Sequence, residues 1–388
     1  MSCTSAPTRP VTLWLYTCCG MIFVMALLGA ITRLTESGLS ITRWEPVMGA
    51  LPPLNEAAWS KAFADYQTIP QYQILHHGMS LEAFKHIYFW EWFHRLWGRL
   101  IGVVFALPLI GFLVTKKITP ALFGKLAAIF ALGGVQGFIG WFMVQSGLAV
   151  RTSVSPYRLA LHLGFALLLY GLLLWTALGG KRSAVPLPSG EGLGAGYKSG
   201  SSPTPSLNTL ATTTPPLTPP RRGGEFDRAG GINFSMKPPL LHGWFTLALL
   251  ALTMIWGAFV AGLHAGGVYN TWPLMEGDWL PDAAWSLQPA WINFFENTAL
   301  AQFTHRWLAP TTLLVILAWV ARCWRGADPV RRRTLLALGI IAGAQIALGL
   351  ATLLTQVNIV IAVLHQAGAI TLLTLLLVNL RGMTPERK

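Results

Sequence analysis

Four histidines occur at matching places in two halves of the sequence, and they are its clearest candidates for chemistry. His94 lies in the run Glu-Trp-Phe-His-Arg, and His305 lies in the run Gln-Phe-Thr-His-Arg. His162 follows His94 after 68 residues, and His365 follows His305 after 60 residues. All four lie in or beside apolar stretches that are long enough for helices. Two such pairs of imidazoles could each hold a porphyrin iron between two helices, with one histidine on either side.

Other roles are open to these histidines. A single histidine at the end of a membrane helix is most often a polar anchor at the interface. Four at equivalent positions of a repeat favour function, because ionisable residues within membranes usually mark functional sites. Zinc is the next alternative, but it prefers tetrahedral sites with thiolate or carboxylate ligands, and no acidic residue lies inside the spans that carry these histidines. We therefore favour two haem sites over anchors or zinc.

The two halves differ three residues before the first histidine of each pair. Glu91 precedes His94, whereas Gln302 precedes His305. A carboxylate on the same helical face as a ligand can move protons for a reaction at that haem, and an amide cannot. The first half is thus the candidate reaction site, and the second is the candidate electron-transfer or structural haem site. An exposed loop glutamate is the alternative interpretation of Glu91.

An arginine follows each of these histidines directly: Arg95 follows His94, and Arg306 follows His305. Taken alone, each is an ordinary interface arginine whose charged end reaches water. Beside a haem ligand, each could also pair with a propionate carboxylate through two parallel hydrogen bonds. Arg95 and Arg306 are therefore candidates for propionate pairing.

The composition is that of a membrane protein. The 388 residues are 53% hydrophobic and 11% charged, whereas a soluble domain has about a quarter charged residues. A span needs about 20 apolar residues, and backbone polar groups in lipid must be satisfied within the segment. The predicted fold is an all-α polytopic membrane protein with eight transmembrane helices in two pseudo-symmetric four-helix bundles. The predicted spans are 11–31, 93–114, 121–145, 157–178, 241–263, 304–322, 334–354 and 358–379.

The net charge of +13 reflects membrane topology, because the basic residues are sorted by loop. They cluster after the second, fourth, sixth and eighth spans, whereas acidic residues are frequent after the first and fifth. The positive-inside rule then places both termini in the cytoplasm and the histidines near the outer leaflet. No Arg/Ser-rich transit segment precedes the first span, which favours a bacterial inner membrane. No Cys-x-x-Cys-His motif occurs, so covalent haem attachment is excluded.

The chain divides into two similar halves and a connecting segment. Residues 1–180 form the first four-helix half, and 241–388 form the second. The segment 181–240 contains a stretch rich in Ser, Pro, Gly and Thr over 181–232, which predicts a disordered cytoplasmic linker. Because each half has four spans, the halves should share one orientation in the membrane. The repeat is marked, at a constant offset of 228 residues, by Gly29, Gly38, Trp44 and Gly49 against Gly257, Gly266, Trp272 and Gly277.

The sequence resembles the haem A synthase family over nearly the whole chain except the linker. The resemblance implies an oxidoreductase that converts the C8 methyl of haem O to a formyl group, making haem A for cytochrome oxidase. It implies substrate haem between His94 and His162, a haem b cofactor between His305 and His365, and Glu91 as a catalytic residue. The motifs that carry it are Arg33 to Ser40, Glu91-x-x-His94-Arg95, His264-Ala265-Gly266, Asn270 to Pro273, Thr304-His305-Arg306 and Leu364-His365-Gln366.

The same resemblance suggests partners and leaves alternatives. It implies a haem O synthase (a protohaem farnesyltransferase) as supplier and cytochrome oxidase assembly factors as recipients, with membrane lipid around the chain and no nucleic acid. The electron donor or acceptor is open, and small interfacial residues permit a homo-oligomer without specifying one. The outer loops carry no cysteine pair, so the chain resembles the proteobacterial and mitochondrial branch. The main alternative is a di-haem b membrane cytochrome that exchanges electrons with quinone, and the third is a haem or metal transporter.

Overall fold

The computed structural model describes residues 7–45, 48–149, 151–179 and 238–384, which are helical apart from connecting turns and one isolated bridge. Nearly all of the predicted linker 181–240 lies outside these residues. The helices in the described part are α1 Arg9–Leu34, α2 Glu56–Gln67, α3 Pro70–Ile74, α4 Leu81–Val114, α5 Pro120–Leu148, α6 Pro156–Ala177, α7 Pro238–Gly262, α8 Asn293–Glu296, α9 Thr298–Trp324, α10 Pro329–Leu354 and α11 Ile359–Arg381.

Eight of these helices are long and apolar enough to cross a membrane, by length and composition. They are α1, α4, α5, α6, α7, α9, α10 and α11, and each overlaps one of the eight predicted spans. The all-α, eight-span prediction is therefore confirmed. This agreement follows from the bilayer itself, because a helix satisfies its own backbone hydrogen bonds in hydrocarbon and its length is set by membrane thickness.

Local signals begin the helices that carry the histidines. Ser80 accepts a hydrogen bond from the Ala83 backbone N–H at the start of α4. Asn297 caps α9, and Asn358 caps α11, each accepting from two backbone N–H groups of the first turn. Helix α6 begins instead with Pro156, whose missing N–H would have no partner in a first turn anyway. These starts fix how many turns separate each histidine from the outer end of its helix.

Two of these helices begin earlier than the sequence predicts. The second span was predicted from residue 93 and the sixth from 304, whereas α4 begins at Leu81 and α9 at Thr298. His94 therefore lies more than three turns inside α4. An apolar window detects only the part of a helix that is hydrophobic throughout. The outer part of α4 is stabilised instead by packing of Phe84, which is fully buried, against Phe63 and Tyr66 of α2.

The eight long helices pack as two rings. Helix α1 contacts α4 and α6, and α5 contacts the same two helices, which closes the first ring. In the second ring α7 and α10 each contact α9 and α11. The rings meet where α6 packs on α7 and α11, and where α1 packs on α11. Each predicted histidine pair thus falls on two helices of one ring.

Candidate functional site

The structure places each predicted histidine pair in one ring of helices. His94 on α4 and His162 on α6 lie in the first ring, and His305 on α9 and His365 on α11 lie in the second. All four side chains are neither fully buried nor exposed. Two partly accessible imidazoles on helices of one ring are the arrangement that a haem with two axial ligands requires.

Each imidazole is seated against a glycine of a neighbouring helix. The ring carbon Cε1 is the atom nearest to the glycine in all four cases, and Nδ1 is the next nearest. The imidazole occupies the space that a side chain at the glycine would fill, so any larger residue there would displace the ring. A methyl group on the glycine would lie at the following distances from Cε1: 3.2 Å for Gly29 and His94, 3.0 Å for Gly140 and His162, 3.2 Å for Gly257 and His305, and 2.8 Å for Gly349 and His365.

Three of the four imidazoles have an unsatisfied buried nitrogen. The Nδ1 atoms of His94, His305 and His365 are buried without a hydrogen-bond partner among the described residues. Buried polar atoms normally have partners, so such atoms cluster where a site is built for something other than packing. Haem would occupy the imidazole pairs without requiring any further protein ligand, because its iron accepts one nitrogen from each side. The residues present therefore fit a haem in each pair.

A glutamine supports the second histidine of each pair. Gln136 on α5 donates from Nε2 to the carbonyl oxygen of His162 at 3.1 Å, and the same nitrogen lies 3.1 Å from its Nδ1. Gln345 on α10 donates from Nε2 to the carbonyl oxygen of His365 at 2.9 Å. In the sequence these glutamines mark the repeat, and their role depends on helix packing that only the structure shows.

Glu91 is buried, and its carboxylate is held by three hydrogen-bonding groups in one corner of the site. It is 3% exposed and forms an ion pair with Arg95 at 2.6 Å between Oε1 and Nη2. Its Oε2 accepts hydrogen bonds from the Ser40 hydroxyl at 2.7 Å and from the Ile41 backbone N–H at 2.8 Å. The carboxylate thus joins the helix that carries His94 to the first outer loop, and it is not the exposed loop glutamate of the alternative interpretation.

Gln302 occupies the equivalent corner with the opposite hydrogen-bonding polarity. Its Oε1 accepts from Arg306, as Glu91 accepts from Arg95. Its Nε2, however, donates to the carbonyl oxygens of Ala265 and Val268. The second outer loop therefore presents acceptors where the first presents donors. The loop around each residue matches its chemistry: donors face the Glu91 carboxylate and carbonyl acceptors face the Gln302 amide. Exchanging the two residues would leave a polar group unpaired.

The two arginines anchor the outer loops in the same way. Arg95 donates to the carbonyl oxygens of Ile41 and Arg43. Arg306 donates to those of Tyr269 and Thr271, which follow at the repeat offset of 228, and also to Pro273 and Leu274. Each guanidinium lies over a tryptophan of the loop, at 5.8 Å for Trp44 and 5.5 Å for Trp272. Loop anchoring is what these contacts establish, and propionate pairing stays a prediction.

A second polar cluster lies in the first outer loop. The Tyr66 hydroxyl lies 2.6 Å from Nδ1 of His76, whose Nε2 lies 3.1 Å from the Glu36 carboxylate. Burial, and then the nearby Glu36 and Glu91 carboxylates, raise the pKa of the Tyr66 phenol, so it stays neutral. The cluster holds the loop together beside the site, and the sequence alone did not point to it.

The chain also matches known proteins over most of its length. Residues 12–196 and 235–377 match the family model described as cytochrome oxidase assembly protein, COX15-CtaA. The chain is 50% identical over 384 residues to a protein of Rhodospirillum centenum named heme A synthase, covering 98% of this chain and 90% of that relative. It is similar to proteins of the same name in Parvibaculum lavamentivorans, at 41% identity with 94% and 92% covered, and in Granulibacter bethesdensis, at 43% identity with 96% and 87% covered.

Proposed function

We propose, from the premise that this chain belongs to the cytochrome oxidase assembly protein family (COX15-CtaA), that it is a haem A synthase. Such a protein is a multi-pass membrane enzyme of haem A biosynthesis. The reaction is oxidation of a C–H group. In each of two successive hydroxylations an external oxidant takes two electrons from the C8 methyl carbon of haem O, and an oxygen atom from dioxygen or water becomes bonded to that carbon. The first step gives an alcohol and the second a gem-diol, which loses water to leave the formyl group.

The observation that carries this proposal is the duplicated pair of imidazoles, each packed against a glycine, with a buried carboxylate beside one pair and an amide beside the other. His94 and His162 would bind haem O as substrate, with the glycines at 29 and 140 setting the ring orientations. His305 and His365 would bind haem b as a cofactor, seated against Gly257 and Gly349. Haem b would supply one-electron transfer at the second site.

Glu91 is the residue that distinguishes the proposed reaction site from the proposed cofactor site, where Gln302 takes its place. It lies one helical turn before His94, and its carboxylate is the acidic group of that corner. In the proposed reaction Glu91 takes up a proton released as the methyl group is oxidised, and Arg95 and Ser40 hold the carboxylate in place for that transfer. Gln302 cannot do this, which is consistent with a cofactor role for the second site.

The location of the protein follows from the same proposal. The chain lies in a bacterial inner membrane with both termini in the cytoplasm and both haem sites near the outer leaflet. A haem O synthase supplies the substrate, and cytochrome oxidase assembly receives the product. The positive-inside distribution of Lys and Arg supports this orientation.

Pigment analysis of purified protein tests the proposed function. Wild-type protein from cells that make haem O should contain haem b together with haem O or haem A. Glu91→Ala should retain haem b and accumulate haem O, whereas Glu82→Ala, a change at an exposed carboxylate of the same helix, should still produce haem A. His94→Met and His305→Met should lose different haems. Normal haem A production by Glu91→Ala would contradict the role of Glu91, and a wild-type protein holding haem b alone would favour the di-haem cytochrome.

A further inference from the structure

An apolar groove lies on the seam between the two rings of helices. It is formed by the outer ends of α1, α4 and α11 and has a volume of about 410 Å³, within the range of small-molecule sites. Six of its eight lining residues are apolar: Ile31, Trp90, Ile359, Val360, Val363 and Leu364. The other two are Thr35 and the exposed His86.

The groove adjoins the first histidine pair. Trp90 lies one helical turn before His94 on α4, so both side chains project from nearly the same helical face. Two of the three helices that form the groove, α1 and α4, belong to the first ring. The groove therefore comes within about one helical turn of His94 along α4.

The repeat-related position, where α6 packs on α7, is filled by aromatic side chains. At the offset of 228 the counterpart of Ile31 is Phe259, and at the offset of 203 between His162 and His365 the counterpart of Val360 is Tyr157. Tyr157 and Phe259 pack edge to face, with ring centroids 5.6 Å apart. Phe295 packs against both of these aromatic side chains, with its ring centroid 5.3 Å from that of Phe259 and 6.2 Å from that of Tyr157. The same architecture is thus open in one copy and closed in the other.

We infer that this groove binds the farnesyl tail of the substrate haem while its iron is held between His94 and His162. The inference rests on the proposed function and identifies the part of the substrate that the first site recognises. Haem O differs from haem b by a long apolar chain, and only the first ring would need space for it. The aromatic cluster at the repeat-related position would exclude such a chain from the second site and select the haem that lacks one.

The occupant follows from chemistry and position. The Thr35 hydroxyl is already hydrogen-bonded to Ile31 and Ser37, so apart from the exposed His86 the lining offers no free polar partner to a headgroup or a quinone carbonyl. A buried polar group without a partner is costly. A hydrocarbon chain meets no such cost, and burial of each methylene group stabilises its binding. A phospholipid acyl chain has the same chemistry, so the experiment must separate the two occupants.

The test introduces into the open groove the aromatic side chains that fill the repeat-related position. The double variant Ile31→Phe with Val360→Tyr introduces the aromatic residues of the repeat-related position, Phe259 and Tyr157. Val103→Tyr, on a half-exposed position of α4 away from the groove, is the matched control. Haem O and protohaem, which has no farnesyl tail, are each titrated into the purified proteins in detergent, and binding at the first site is followed by absorbance. No turnover is needed.

We expect the wild-type protein to bind haem O more tightly than protohaem at the first site. The double variant should lose affinity for haem O by at least about tenfold, which loss of contact with two methylene groups is enough to cause, and should change less than about threefold for protohaem. Equal effects on both haems, or no effect on haem O, would overturn the inference and leave lipid as the occupant. Tail-dependent binding without any haem A formation by the wild-type protein would contradict the proposed function alone.

Discussion

The four glycines that pack against the imidazoles allow a graded prediction, and Gly349→Ala should have the largest effect on haem binding. A methyl group there would lie 2.8 Å from Cε1 of His365, whereas ordinary contacts begin near 3.4 Å. The imidazole or its helix must therefore move by roughly 0.6 Å, which is the difference between these two distances. Ligand geometry has to be held within about 0.5 Å for a preorganised site. We expect Gly349→Ala to lose haem b from the second site.

The size of the effect should follow the contact distances. Gly140→Ala places its methyl 3.0 Å from the His162 ring, and Gly257→Ala places one 3.2 Å from the His305 ring. The required shifts are then about 0.4 Å and about 0.2 Å from the same contact distances. Gly349→Ala should reduce haem occupancy by more than about tenfold, since a change of about 1.4 kcal/mol is tenfold in an equilibrium constant. Gly257→Ala should weaken binding less.

Two glycines on the same helices supply the controls. Gly343 on α10 and Gly137 on α5 have no atom within 4 Å of an added methyl group among the described residues. An alanine in a helix is favoured over glycine by about 1 kcal/mol, and this gain is common to the variant and its control. The difference between Gly349→Ala and Gly343→Ala thus isolates the contact with His365.

The assay is haem content per protein together with the reduced-minus-oxidised absorbance spectrum. Gly349→Ala should lose the haem b spectrum while a haem at the first site is retained, and Gly140→Ala should show the reverse. If Gly349→Ala retained haem b with an unchanged spectrum and reduction potential, the imidazole of His365 would not be an axial ligand in this orientation. An equal loss in Gly343→Ala would instead trace the effect to helix α10 as a whole.

Three further predictions concern the groups around the site. Ser40→Ala removes the 2.7 Å hydrogen bond to Glu91 and should lower the haem A to haem O ratio while haem b is retained; such a bond to a charged group contributes about 1.5–3 kcal/mol, and an unchanged ratio would show that the serine is dispensable. Arg306→Lys removes the planar donors that hold the second outer loop, so limited proteolysis should cut that loop faster, and a rate equal to that of wild type would contradict the anchoring role. Gly368→Ala forces its methyl into Oε1 of Gln345, which should displace the amide from the carbonyl of His365 and shift the haem b reduction potential; an unshifted potential would remove Gln345 from the site.

Much of this protein could be predicted from local properties of its sequence. The eight spans follow from hydropathy, because the bilayer imposes the same length and the same hydrogen-bonding requirement on every helix. The grouping of His94 with His162 in one ring, and of His305 with His365 in the other, followed from the repeat, which places equivalent residues on equivalent helices. The helix extension of α4 out to Leu81 was not predicted, because it depends on burial of Phe84 against a helix of the outer loop.

The tertiary structure decided how these residues work together. The sequence alone determined the fold class, the repeat and the candidate ligands, since each depends on residue type and spacing along one chain. It could not show that Glu91 meets loop donors where Gln302 meets loop acceptors, or that Ile31 borders open space where Phe259 is packed by aromatic rings. Those differences arise between helices and loops far apart in sequence, and only packing in three dimensions brings their polar groups and volumes into contact.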